Sequence, residues 1–226
     1  MSIKMCVEDG FNNINIHKNA SGKSRYVLKP GITVLSGCNG YGKTTTTEAM
    51  MYWLNNNGFK YFSFDGADVC ENDYRGKCLL SNNFHALASF MSSSEGEQQL
   101  SIFTDFCKKT LALIDDSYDR SKPFILFIDA IDSGLSIDTV AMVRNYLFRV
   151  MHDIMKLNID VYIIITSNTY EMCRSDNIDK ADKDLFRCMD TYTFKDKRFK
   201  SYNAYAKFIM YTAEIVNARY SKEENN

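Results

Sequence analysis

The sequence predicts an α/β fold, a doubly wound mixed sheet flanked by helices, with a short helical insertion over about 66–122. Three observations predict it. The run Ile32-Thr33-Val34-Leu35 feeds a glycine-rich loop that opens into helical periodicity over 44–54. Two wholly apolar runs, Phe124-Ile125-Leu126-Phe127-Ile128 and Val161-Tyr162-Ile163-Ile164-Ile165, have the composition of strands buried on both faces of a parallel sheet. Between them Val140, Val143, Leu147, Val150, Met151 and Met155 recur near helical spacing, which predicts a helix over 137–157.

The remaining elements follow in order. Residues 2–7, 12–17 and 24–28 read as short strands, separated by turns at Asp9-Gly10 and Ala20-Ser21-Gly22. Pro30-Gly31 closes that section. The helix over 44–54 stops at Asn55-Asn56-Asn57-Gly58, and 60–64 is the next strand. Residues 70–122 carry no strongly β-branched run and read as mostly helical, for example over 98–114. A late strand around 191–194 precedes a long helix over 201–218. Residues 1–220 make one domain, and 221–226 read as a disordered tail.

Composition removes several function classes. With 27 Lys and Arg against 28 Asp and Glu, whole-chain charge offers no argument for nucleic acid or membrane. The 7 cysteines lack C-x-x-C spacing and, with 3 scattered histidines, do not make a zinc site. They read as reduced thiols of a cytoplasmic protein. The chain has no apolar run of about 18 residues. Its N-terminus shows no basic segment followed by an apolar stretch, so neither a membrane span nor a secretory signal is expected.

Residues 37–44, Gly-Cys-Asn-Gly-Tyr-Gly-Lys-Thr, complete the pattern G-x-x-x-x-G-K-[ST]. Gly37, Gly40 and Gly42 let the backbone turn tightly and aim N–H groups at phosphate oxygens. Lys43 is placed to reach the β- and γ-phosphates, and the Thr44 hydroxyl to ligate Mg²⁺. The apolar run over 124–128 ends in Asp129, a fixed carboxylate suited to orienting that metal's shell. Between these motifs lies Ser92-Ser93-Ser94-Glu95-Gly96-Glu97-Gln98-Gln99. Ser94 with Glu97 three residues on forms a capping box at a helix start. The same hydroxyl, glycine amide and helix N-terminus also suit an anion, such as a γ-phosphate offered by another subunit.

With Asp129-Ala130-Ile131-Asp132-Ser133-Gly134-Leu135 and the Ile-Ile-Ile-Thr-Ser-Asn run ending at Asn168, these ordered motifs resemble the ABC-type ATPases. The likeness is to the soluble SMC/RecF-like branch, in a short form without coiled coil. The resemblance implies ATP and Mg²⁺ as ligands, a homodimer on ATP binding, an effector protein or DNA as partner, and no membrane. It also implies a composite site. Gly37, Asn39, Gly40, Gly42, Lys43, Thr44, Thr45 and Asp129 would act in cis, with Ser94, Gly96 and Glu97 supplied in trans. Asp132, Ser133 and Gly134 resemble the loop that communicates between the two sites.

The chain departs from that pattern in places. Ala130 stands where the family carries a catalytic glutamate, and a methyl group cannot polarise water. Two explanations fit: a naturally hydrolysis-poor ATPase, or a glutamate-to-alanine substitution trapping the ATP state. The intact chemistry around Ala130 favours the second. Asn168 stands where the family often has a histidine against the γ-phosphate; it can hydrogen-bond the same oxygen, or simply cap a following helix. The stretch from Lys43 to Ser94 is too short for coiled-coil arms, and only Asn82 and Asn83 offer themselves for a glutamine loop. Phe11 and Tyr26 are candidate adenine-stacking rings. The run Lys195, Lys197, Arg198, Lys200 and Lys207 with Phe199, Tyr202 and Tyr205 reads as a solvated face, or alternatively as a nucleic-acid track. The rival functions are a small nucleotide or nucleoside kinase and a nucleotide-stabilised interaction module. The Ser94–Gln99 segment followed by Asp129–Leu135 weighs against the kinase, which needs neither.

Overall fold

The computed structural model describes residues 2–7, 24–66, 94–114, 118–132, 135–176 and 178–223. Its elements are β1 (Ile3–Val7), β2 (Ser24–Leu28), β3 (Gly31–Ser36), α1 (Lys43–Asn56), β4 (Phe62–Asp65) and α2 (Glu95–Ala112). There follow β5 (Phe124–Asp129), α3 (Ile137–Met155), β6 (Val161–Ser167), α4 (Tyr170–Cys173), β7 (Phe186–Asp190), β8 (Asp196–Lys197) and α5 (Tyr202–Glu223). The expected strand over 12–17 lies outside the described residues.

β1 and β2 pair antiparallel as a separate two-stranded sheet. The main sheet has the order β4-β5-β6-β3-β7-β8, parallel throughout except for the antiparallel β7–β8 edge. This is the mixed α/β sheet the sequence predicts. The reason β5 and β6 can be apolar at successive positions is visible in where their side chains go. Phe124, Leu126 and Ile128 face one core with Val140, Val143, Leu147 and Ile154 of α3. Ile125 and Phe127 face the other, with Met50 and Leu54 of α1 and Ile3 and Met5 of β1. Each strand keeps its period of two, but both faces are covered.

Leu147, with 0% exposure, sits at the middle of the α3 face. Leu147→Ala is expected to cost about 2–5 kcal/mol, read as a lower denaturant midpoint at unchanged slope.

Two expectations are corrected. The strand expected over 191–194 is instead β7, over Phe186–Asp190, and residues 191–193 form the turn into β8. The carboxylate of Asp190 accepts from the Tyr192 and Thr193 N–H groups at 2.9 and 3.1 Å, and Phe194 takes φ 51°. A side-chain-capped turn overrides the β-propensity of Thr and Tyr. The tail expected from 221 is also corrected, because α5 continues through Glu223, with Ser221 Oγ donating to the Asn217 carbonyl at 3.0 Å.

The strand order matters for the site. β6 lies between β3 and β5, so the loop after β3, the carboxylate ending β5 and the polar end of β6 meet at one carboxyl edge of the sheet.

Candidate nucleotide-binding site

β3 is buried at all 6 positions and delivers the chain to Gly37. A Cβ there would lie 2.2 Å from Cδ1 of Tyr41, so the loop closes on that ring only because residue 37 has no side chain. Tyr41 is itself fully buried, and its hydroxyl donates to Asp190 Oδ1 at 3.2 Å. Burial, reinforced by the neighbouring Asp190 carboxylate, raises its phenol above the usual range, so it stays a neutral donor. On the far side of the loop the Cys38 N–H donates to Thr212 Oγ1 of α5 at 3.0 Å. The loop is therefore fixed from two directions.

Gly42 caps α1 in the left-handed conformation, φ 90°, and offers no side-chain acceptor. The first amides of α1 are left to an external anion. Lys43 Nζ donates to the carbonyls of Gly37 and Cys38, each at 2.9 Å. Burial lowers the tendency of its amine to hold a proton, and the carboxylates of Asp132 and Asp129 oppose that.

Loop and strand ends enclose a cleft of about 410 Å³. Asn39, Gly40, Gly42, Lys43, Thr44 and Thr45 line it from the loop and α1. Asp129, Ala130 and Asp132 line it from the end of β5, and Thr166, Ser167 and Asn168 from the end of β6. Every cis residue expected from the sequence except Gly37 lies on the wall; Gly37 stands behind it, under Lys43. Thr166 Oγ1 donates to Asp129 Oδ1 and accepts from the Ala130 N–H at 3.1 Å. Ala130 takes φ 52°. Asn168 does not cap the following helix, whose N-cap is Thr169. Its Nδ2 reaches across to Asn39 Oδ1 at 2.9 Å, joining β6 to the phosphate loop. Sequence reasoning passed over Thr166 and Ser167. The available signal was two hydroxyls closing an otherwise apolar buried strand.

The family model for the ATPase family associated with various cellular activities (AAA) matches residues 33–189, well over half of the 226-residue chain. The chain belongs to this family. No curated protein matches it. The matched span runs from inside β3 to inside β7 and so contains every wall of the cleft.

In this AAA ATPase the wall also suits magnesium. Thr44 and Asp129 share the cleft, while the described residues hold no cluster of three His, Cys, Asp or Glu side chains that would cage a metal alone. Such a donor set fits a cation that takes one or two protein oxygens and completes its shell from phosphate and water.

Ser94, Gly96 and Glu97 are not part of this cleft. Ser94 caps α2 in a capping box: its Oγ accepts from the Glu97 N–H at 3.4 Å, and its own N–H donates to Glu97 Oε2 at 2.8 Å. The bond from the Ser94 N–H and a second from the Ser94 hydroxyl to the same Oε2, at 2.9 Å, hold the exposed Glu97 carboxyl below its usual range. Further along α2, buried Gln99 donates from Nε2 to the Gly66 carbonyl at 3.2 Å, and the Gly66 N–H donates to the Asp129 carbonyl at 2.8 Å. Ser133, Gly134, Phe11, Asn82 and Asn83 lie outside the described residues.

Two further groups that the sequence singles out lie among the described residues of this AAA ATPase. Tyr26 is 2% exposed and packs edge-on against Phe194, so it is a core ring and cannot stack a base. Phe199 and Tyr205 are likewise buried, Lys197 pairs with Asp190 at 3.7 Å, and Arg198 pairs with Asp196 at 3.6 Å. Of the three aromatics in that run only Tyr202 is exposed. Among the described residues no helix is long and apolar enough to cross a membrane.

Proposed function

We propose that this ATPase is an ATP-dependent dimerising switch of the ABC type, similar to the SMC/RecF-like branch. Two copies close around two ATP·Mg²⁺, each held by the loop and Asp129 of one copy and sealed by Ser94 and Gly96 of the other. The closed dimer presents a surface to an effector protein or DNA that the separate chains lack. Closure outlasts many collisions because Ala130 supplies no base for hydrolysis.

The observation that carries this reading is the position of α2. Its N-terminus, with Ser94 and Gly96, lies outside the chain's own cleft, yet Gln99 ties the same helix through Gly66 to the strand end that bears Asp129. An anion bound at that N-terminus from a second copy would thus be felt at the first copy's metal-side carboxylate. Light scattering on the purified chain tests it. ATP with Mg²⁺ should convert monomer to dimer and ADP should not. Ser94→Glu, which sets a carboxylate against the incoming γ-phosphate, should abolish the dimer while leaving ATP affinity within about twofold. A chain that stays monomeric with saturating ATP, or a Ser94→Glu variant that still dimerises, overturns the switch.

A further inference from the structure

We propose that Asp132 is a catalytic residue of this ATPase, the carboxylate that orients and deprotonates the attacking water in place of the group missing at position 130. The inference rests on the cleft being the hydrolytic ATP site read above, and it goes beyond the inter-site role that the resemblance gives this residue.

Four features of the structure support it. First, Asp132 lies in the wall of the cleft with Lys43, Thr44 and Asn168, although it is only 8% exposed. Second, its carboxylate is held at one oxygen. Oδ2 accepts from Ser167 Oγ at 2.5 Å and from the Asn168 N–H at 3.2 Å. Third, Oδ1 has no hydrogen-bond partner among the described residues, and it is not among the sealed, unpartnered polar atoms of the interior. Among the described residues it is an acceptor whose direction is fixed by the two bonds to its partner oxygen. Fourth, Ser167 is fixed in turn, since its Oγ accepts from the Thr169 N–H at 3.1 Å. Asp132 lines the same cleft as Lys43, the lysine placed to reach the γ-phosphate. Asp129, by contrast, has Oδ1 occupied by Thr166 and is left to the metal side.

The step balances as an ordinary hydrolysis. The water oxygen forms the new bond to the γ-phosphorus, and the bond from that phosphorus to the β–γ bridging oxygen breaks. The electron pair of the broken bond leaves on ADP. The water proton passes to Asp132 Oδ1 and from there to the released phosphate or solvent.

The test is single-turnover hydrolysis of γ-labelled ATP by excess full-length chain, with ATP affinity and ATP-dependent mass measured on the same preparations. Asp132→Asn keeps the shape and an acceptor for Ser167 but removes the basic oxygen. Its rate constant should fall by about 10²-fold, within the usual span for a general base, while the Kd for ATP stays within about threefold. Asp132→Glu should recover part of the rate. In an Ala130→Glu background Asp132→Asn should cost little, since the new carboxylate replaces the old. That non-additivity is a signature which a merely structural role would not give. If Asp132→Asn does not fold, Ser167→Ala takes its place, and loosening the carboxylate should lower the rate constant about tenfold at unchanged Kd. Undiminished turnover in Asp132→Asn, or in Ser167→Ala where that is the variant used, overturns the inference. So does a parent chain that binds ATP and dimerises with no turnover above background. Turnover that depends on Asp132 without any ATP-driven dimer would sink the switch and leave this inference standing.

Discussion

Ala130→Glu is expected to raise the single-turnover rate of phosphate release by up to about 10²-fold, the part of a well-placed general base's usual contribution that Asp132 does not already supply. The fold should tolerate the change. The backbone at this position is set by neighbours, because the Ala130 N–H is bonded to Thr166 Oγ1 at 3.1 Å. The left-handed φ of 52° weighs on alanine and glutamate alike. Residue 130 already lines the cleft, next to Asp129, so a longer side chain there enters the space where water must approach the γ-phosphate. ATP affinity should stay within about threefold, since a group acting on the water in the transition state adds little to ground-state binding. The lifetime of the ATP-closed dimer should shorten in step with the faster turnover. A rate no higher than that of the alanine form would mean that slow hydrolysis has another cause than the missing carboxylate.

Gly37→Ala is expected to cripple the phosphate loop. The new Cβ would lie 2.2 Å from Tyr41 Cδ1 and 2.9 Å from Cγ, and that ring has nowhere to retreat. Its hydroxyl is held by Asp190, and Arg219 lies 6.0 Å over its face. Overpacking of this kind costs about 1–3 kcal/mol. Relief comes by displacing the loop, so ATP affinity measured by calorimetry should fall about 10–100-fold. Gly58→Ala is the control. Gly58 also has a positive φ, 72°, but a Cβ there would meet nothing within 4 Å. It should lower stability by about 1 kcal/mol and leave ATP binding unchanged. Equal affinities for Gly37→Ala and the parent would show that the loop does not depend on this close approach.

Much of the architecture is legible before any coordinates, and the reasons are specific. The runs over 124–128 and 161–165 have one physical solution, a strand with both faces covered, and the phosphate loop announces its own strand and helix. β7 escapes because Phe-Arg-Cys-Met-Asp carries no β-branched residue and is held in the sheet by pairing with β3. The Thr-Tyr-Thr-Phe run that looks more strand-like is bent by one carboxylate, Asp190. In the site, backbone chemistry such as Gly42 and Lys43 can be read from spacing. What Thr166, Ser167 and Tyr41 do depends on hydrogen bonds to residues far along the chain, at Asp129, Asp132 and Asp190. No local pattern encodes such pairs. Asn168 shows the same limit: its local reading as a helix cap loses to its contact with Asn39.

The bond from the Cys38 amide to Thr212 makes the C-terminal helix a handle on the phosphate cradle. That helix also carries Met210, Tyr211 and Tyr220, all exposed. Thermodynamic linkage is reciprocal. Whatever grips α5 more firmly with the cradle full will tighten the hold on nucleotide by the same factor by which nucleotide recruits it, without entering the cleft.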